Sequence, residues 1–227
     1  MSRLDSFIRR LEAQRACLNR AAELVREIDG FVLELGLGNG RTYDHLRELF
    51  QGRDIYVCER RVAAHPDCIP PDDRLLLGDL RETLPAARGW LTGKVAFAHL
   101  DAGTGDAAAN KALAAELMPL VVPLLCAGGV LASDPVMDHP DLTSLPLPEG
   151  VATGRYHLYR REGADNGLWM ERLLAWGTER GRLTYDELNA ALPPDLTAPE
   201  QIEEIMRKLS QLGVMLLEKT PTGDDGD

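Results

Sequence analysis

No stretch of this chain reaches the roughly 18 consecutive apolar residues that a membrane-spanning helix needs. The opening residues, MSRLDSFIRRLEAQRACLNRAAELV, carry charge throughout and lack the apolar centre of a secretion signal. The expectation is a cytoplasmic, soluble protein with no membrane partner. Cysteine is scarce: Cys17, Cys58, Cys68 and Cys126 are scattered without CxxC spacing, which argues against a disulfide framework or a zinc site and for reduced core thiols. His45, His65, His99, His139 and His157 likewise show no metal-ligand spacing. Positive charge is also short. A net −11 over 227 residues disfavours contact with nucleic-acid phosphates, so no direct nucleic-acid binding is expected. What is present is an ordinary 44% of apolar residues, enough for a sizeable core, in a length that fits one domain of about 150 residues with a small appendage.

The apolar residues Leu4, Ile8, Leu11, Leu18, Ala22 and Val25 recur at helical spacing and predict one amphipathic helix over 3–28. Strands then alternate with helices: FVLEL, a helix from about Arg41 to Phe50, DIYVCE, an irregular stretch, RLLLG and KVAFAHLD. A longer helix is expected over about 107–125, with Pro119 and Pro123 marking kinks or an early end, and GGVLASD follows as a strand. Strands apolar almost throughout suit a parallel sheet covered on both faces. DHPDLTSLPLPEG reads as loop and VATGRYHLYRRE as a closing antiparallel strand or hairpin. The pattern breaks at 163–167, GADNG, read as a linker. Beyond it come three helical segments and the strand VMLLEK. Thr184 with Glu187 and Thr197 with Glu200 have capping-box spacing, Pro199 suits a first helical turn, and 221–227 reads as a disordered acidic tail.

The run Glu34-Leu-Gly36-Leu-Gly38-Asn39-Gly40 places three glycines where a strand turns into a helix, so that backbone can approach a nucleotide-like ligand. Its G-x-G-x-G spacing differs from the dinucleotide fingerprint, and Glu34 would repel a pyrophosphate while welcoming an ammonium. Glu59 ends the second strand, Gly78-Asp79 follows the third, and His99-Leu100-Asp101-Ala102-Gly103 follows the fourth. In this order, over residues 30–161, these motifs resemble the class I S-adenosylmethionine-dependent methyltransferases. The resemblance implies a Rossmann-like α/β sheet with helices on both faces and S-adenosyl-L-methionine as cofactor. It implies that Glu34, Gly36, Gly38, Asn39 and Gly40 hold the methionine part, Glu59 the ribose hydroxyls, Gly78 and Asp79 the adenine, and Asp101 the mouth of the site. Asp101 and His99 are the candidate catalytic residues. Other readings stand beside these: Glu59 as a solvated strand-end charge, Asp79 as a helix N-cap, and His99 as a structural histidine.

HLDAGTGD with AGGVLASDPVM is also similar to the catechol and caffeoyl-type O-methyltransferases, whose acids after the fourth and fifth strands bind a divalent metal. Asp101 and Asp134 match those two positions, but the third ligand is replaced by Pro135, which offers no side-chain donor, so no metal is assigned. GLGNGRTYDHLR with SDPVM resembles a small bacterial methyltransferase family of unassigned substrate.

The run GRLTYDELNAALPPDLTAPEQIEEIMRKLSQLGVMLLE, within 173–219, resembles region 1.1 of the housekeeping bacterial sigma factors without gaps over roughly 40 residues. Residues 168–227 hold 12 Asp and Glu against 6 Lys and Arg, a net −6, which leaves −5 for the first 167. The resemblance implies a small, mostly helical acidic module with RNA polymerase as a potential partner, since an acidic surface complements a basic nucleic-acid channel. Recycling of a helical domain for dimerisation or stability is the other reading. Trp169, Trp176, Leu173 and Leu174 belong to this module's core or to its contact with the first domain. The expected organisation is a methyltransferase domain over 1–162, with 1–29 as an N-terminal helix, a linker over 163–167, the sigma-like module over 168–220 and a tail over 221–227. The expected function is methyl transfer to an unknown acceptor. The alternative is a regulatory protein that contacts RNA polymerase and keeps a vestigial cofactor fold.

Overall fold

The computed structural model describes residues 2–101, 107–162, 169–192 and 199–218. The linker, Ala102 and Gly103, Thr197 and the acidic tail lie outside these residues. The chain divides into two compact units, Met1–Asp138 with Leu142–Gly163, and His139–Asp141 with Ala164–Asp227.

In the first unit, helix α1 (Arg3–Leu24) starts from a capping box in which Ser2 and Asp5 exchange backbone N–H bonds at 3.0 and 3.1 Å. It ends earlier than its apolar periodicity suggests. The Arg53 guanidinium donates to the carbonyl oxygens of Val25, Arg26 and Ile28, satisfying acceptors that a longer helix would have used. The sheet is built from β1 (Phe31–Leu35), β2 (Ile55–Glu59), β3 (Leu75–Leu77), β4 (Val95–Leu100), β5 (Leu125–Ser133), β6 (Leu142–Ser144) and β7 (His157–Arg161). Its order is β3-β2-β1-β4-β5-β7-β6. The first five strands in that order are parallel, while β7 runs antiparallel to both neighbours. The order reverses at β1, and the carboxyl ends of β1, β2 and β4 lie together there, where open α/β sheets bind ligands.

Both faces are covered, so β4 is buried along its whole length. Helices α3 (Leu80–Leu91) and α4 (Ala107–Val121) pack on one face through Leu84, Ala87, Leu91, Leu117 and Val121. On the other face, α1 contributes Cys17, Leu18 and Ala21, and α2 (Arg41–Leu49) contributes Tyr43 and Leu46. Two elements add to the sequence reading. Helix α3 starts at the N-cap that Asp79 offers; Pro85 and Gly89 interrupt its sequence pattern, yet Leu84, Ala87 and Leu91 keep the helical burial period. Within the expected loop, Leu142–Ser144 pairs with β7 as a short edge strand. Helix α4 stops at Val121, and a 3₁₀ turn carrying Pro123 follows.

In the second unit, α5 (Trp169–Arg180), α6 (Tyr185–Ala191) and α7 (Pro199–Gln211) enclose Leu173, Trp176, Leu188, Ile205 and Leu209. Leu174 packs at the margin of this core. Thr184 caps α6 through a capping box with Glu187, as its spacing suggests. Strand β8 (Arg182–Thr184), which the sequence reading lacked, pairs in parallel with β9 (Met215–Leu217). Among the described residues, no helix is long and apolar enough to cross a membrane.

Candidate cofactor site

β1 feeds the glycine loop, and Leu37, only 2% exposed, pins that loop to the core. Gly36, Gly38 and Gly40 all have positive φ, at 101°, 54° and 84°. The two later glycines serve different ends. A Cβ on Gly40 would overlap Cys68 and crowd Ala64, so this glycine permits the loop to pack. A Cβ on Gly38 would meet no protein atom within 4 Å. Gly38 lines a cavity of about 610 Å³ together with Gly36, Glu59, Gly78, Asp79 and Asp101, and with Leu113 and Asn110 from α4. That volume falls within the ~300–1,000 Å³ of small-molecule sites. Asn39 and Gly40 are not among the lining residues; the Asn39 side chain instead accepts from the Arg41 N–H at 3.2 Å, at the start of α2.

Glu59 reaches across from β2 to the loop. Its Oε2 accepts from the backbone N–H groups of Leu37 and Gly38 at 2.8 and 3.0 Å, and its Oε1 accepts from Arg61 N–H at 3.0 Å. Burial pulls its pKa up, but these N–H donors outweigh it and hold the carboxyl below its ordinary value. Glu59 also lines the cavity. Asp79 caps α3, accepting from Arg81 N–H at 3.0 Å, and is clasped by the Arg81 guanidinium at 2.9 and 3.0 Å. The Arg81 side chain first, and then its backbone N–H, hold Asp79 well below the usual carboxylate range.

Glu34 and His99 do not reach the cavity, contrary to the sequence expectation. They face each other in the β1–β4 register and point to the face covered by α1, because Leu33, Leu35 and Leu100 occupy the α3–α4 face. Both are fully buried, with His99 Nδ1 2.7 Å from Glu34 Oε2. Burial raises Glu34 against the attraction of His99; it depresses His99, but Glu34 outweighs it and His99 ends raised. Asp101, just past β4, is held by Gln14 Nε2 at 2.7 Å and by Arg10 at 3.1 Å. Arg10, Gln14 and Tyr156 escaped sequence reasoning. The i, i+4 spacing of Arg10 and Gln14 on one helix face was the available signal.

Asp134 follows β5, with its pKa raised by burial despite the nearby Arg10. Pro135 contributes only its carbonyl, which accepts from Ser133 Oγ at 2.7 Å. No group of three or more His, Cys, Asp or Glu arranged to hold a metal occurs among the described residues. Cys17 and Cys58 are free and buried, with burial pushing their thiols up to about 11 and about 12, which suits inert core residues.

A doubly wound sheet with an antiparallel penultimate strand, a glycine loop after β1 and acids at the ends of β2 and β3 define a Rossmann-like fold of the S-adenosylmethionine-binding class. Comparison with known proteins agrees. Residues 1–161 match the model of the S-adenosyl-L-methionine methyltransferase family, and the chain belongs to that family. The S-adenosyl-L-methionine methyl transferase of Silicibacter pomeroyi DSS-3 has 48% identity and a TM-score of 0.69 over 71% of this chain and 99% of that one. Residues 168–227 match sigma-70 factor region 1.1. The RNA polymerase sigma factor RpoD of Neisseria gonorrhoeae is 39% identical over 56 residues, covering 25% of this chain and 9% of that protein. The chain is thus an S-adenosyl-L-methionine methyltransferase domain joined to a sigma region 1.1 domain, with S-adenosyl-L-methionine as its cofactor.

Proposed function

We propose that the chain transfers a methyl group from S-adenosyl-L-methionine to an acceptor presented at the carboxyl edge of the sheet, near Asp101. The observation that carries this is the cavity in which Gly36, Gly38, Glu59, Gly78 and Asp79 converge from three successive strand ends. When bound, the cofactor supplies a sulfonium-activated methyl group. The residues here hold and orient. The open space over Gly38 admits the methionine part close to backbone, and the Glu59 carboxylate, which lines the cavity, accepts from the ribose hydroxyls. Asp79, already fixed by Arg81, accepts from the adenine amino group. Asp101, braced by Gln14 and Arg10, presents a carboxylate in the same cavity that contacts the cofactor at the mouth of the site and orients the acceptor for in-line attack. Methyl transfer needs few dedicated catalytic groups, and a base is optional. Incubating the full chain with radiolabelled cofactor and a panel of acceptors, with Gly38→Arg as the blank, tests this. Label transfer by the wild type alone supports the reading; no transfer to any acceptor and no cofactor binding would refute it.

A second proposal concerns the partner. The match of residues 168–227 to region 1.1, with its net −6, supports docking of this module on RNA polymerase. Pull-down of core polymerase should favour the full chain over a chain ending at Gly163, and equal retention would remove the link.

A further inference from the structure

On the α1 side of the sheet, a row of polar side chains crosses an otherwise apolar core. Glu34, His99 and Tyr156 are fully buried and Gln14 nearly so, among Val32, Phe97, Ala132 and Leu18. Such a row is a poor device for stability, because the desolvation of buried charges cancels most of their attraction, and well-packed apolar groups of similar volume do as well or better. Its geometry has a direction instead. His99 Nδ1 lies 2.7 Å from Glu34 Oε2, and His99 Nε2 contacts the Tyr156 hydroxyl. The Tyr156 oxygen is 3.4 Å from Gln14 Nε2, which donates at 2.7 Å to Asp101 Oδ2. Asp101 is the one member that lines the cavity. The row therefore starts in the middle of the sheet and ends at the mouth of the site.

The pieces come from four places distant in sequence: α1, β1, β4 with its end, and the turn before β7. Each constrains the next. Glu34 fixes the ring of His99; His99 fixes the Tyr156 hydroxyl. Tyr156, Asp101 and, at 3.5 Å, His99 Nε2 together fix the Gln14 amide, because all three meet its nitrogen. Arg10, one turn before Gln14, closes on Asp101 from outside. Asp101 is left with little rotational freedom, which is what a residue at a methyl-transfer site requires.

We propose that Gln14, Tyr156 and His99 are positioning residues: a buried hydrogen-bonded relay, anchored on Glu34, that sets the Asp101 carboxylate at the cavity mouth and makes α1 part of the site. The proposal rests on the reading above that Asp101 serves the cofactor and acceptor. It accounts for His99 without assigning it contact with the reacting atoms, since it is fully buried and does not line the cavity.

Two measurements on the full chain test it. In the cofactor-free protein, Asp101→Asn should shift the His99 ring ¹⁵N resonances, and the shift should be clearly smaller on a Gln14→Met background, where only the direct charge of Asp101 still reaches His99. An equal shift on both backgrounds would count against the relay. Gln14→Met deletes the amide at similar volume and leaves Asp101 with Arg10 and Tyr156 with His99. Isothermal titration should show S-adenosylmethionine binding to Gln14→Met weakened about tenfold, or 1.4 kcal/mol, with no fall in melting temperature. Tyr156→Phe should weaken binding similarly if Gln14→Met proves unstable. His99 resonances that ignore Asp101→Asn, or full affinity in both relay variants, would overturn the proposal. A wild type that binds no cofactor would instead refute the functional reading, while the cofactor-free resonances still decide whether the relay exists.

Discussion

Gly38→Ala and Gly40→Ala are expected to damage the protein in different ways, and the difference can be worked from the backbone. Both glycines sit at positive φ, 54° and 84°, where an L-residue costs about 1–2 kcal/mol. At Gly38 that strain is the whole stability cost, because the new methyl meets nothing within 4 Å. At Gly40 the methyl overlaps the Cβ of Cys68 and comes within 3.1 Å of the Cβ of Ala64. Overpacking of this kind adds about 1–3 kcal/mol, for a total near 2–5 kcal/mol. Urea unfolding followed by near-ultraviolet circular dichroism at the Phe31–Tyr56–Trp90 ring cluster reads this unit's stability. Cofactor titration should give a complementary result. Gly38 lines the cavity, so Gly38→Ala should weaken S-adenosylmethionine binding tenfold or more, at least 1.4 kcal/mol, despite the milder loss of stability. Equal destabilisation by the two substitutions, or undiminished affinity in Gly38→Ala, would refute the assignment of Gly38 to the ligand and Gly40 to packing.

Further outcomes follow from single side chains. Glu59 is held below its ordinary 4.5, so its contribution to stability is complete above that pH and is lost as pH falls through the lowered value. The urea midpoint of the wild type should therefore exceed that of Glu59→Gln at neutral pH, and the gap should close under acid below pH 4.5. Thr184→Ala should destabilise the C-terminal unit by about 1 kcal/mol and Thr184→Ser by less, measured by thermal melts, since the hydroxyl caps α6. Arg53→Met should lower the melting temperature of the N-terminal unit by removing three carbonyl contacts at the end of α1, without changing cofactor affinity.

Much of the fold was legible because it depends on local pattern. Apolar strands such as VAFAHL announce a sheet covered on both faces, and Thr184 with Glu187 announces a helix start. Beyond its Asp79 N-cap, helix α3 was hidden by Pro85 and Gly89, whose local preference is outweighed by burial of Leu84, Ala87 and Leu91. Strands β6 and β8 have three residues each and exist through pairing with β7 and β9, which no local pattern announces. At the site, Glu59 and Asp79 line the cavity because a strand end fixes their position, which the sequence marks. Glu34 was misread although strand alternation carries the correction: with Leu33 and Leu35 on the α3–α4 face, Glu34 must turn to α1. Gln14 and Tyr156 meet Asp101 and His99 only through tertiary packing, across 87 and 57 positions; the helical spacing of Gln14 with Arg10 marks a shared face but names no partner on β4.

The central claim is that the cavity beneath the glycine loop holds the cofactor through Gly38, Glu59 and Asp79. A crystal structure of the full chain with S-adenosylhomocysteine tests it most directly. The expected complex has the ribose hydroxyls on Glu59, the adenine amino group on Asp79 and the homocysteine part against the backbone at Gly38. A ligand bound elsewhere, or a filled cavity in which Glu59 makes no bond to the ligand, would contradict it.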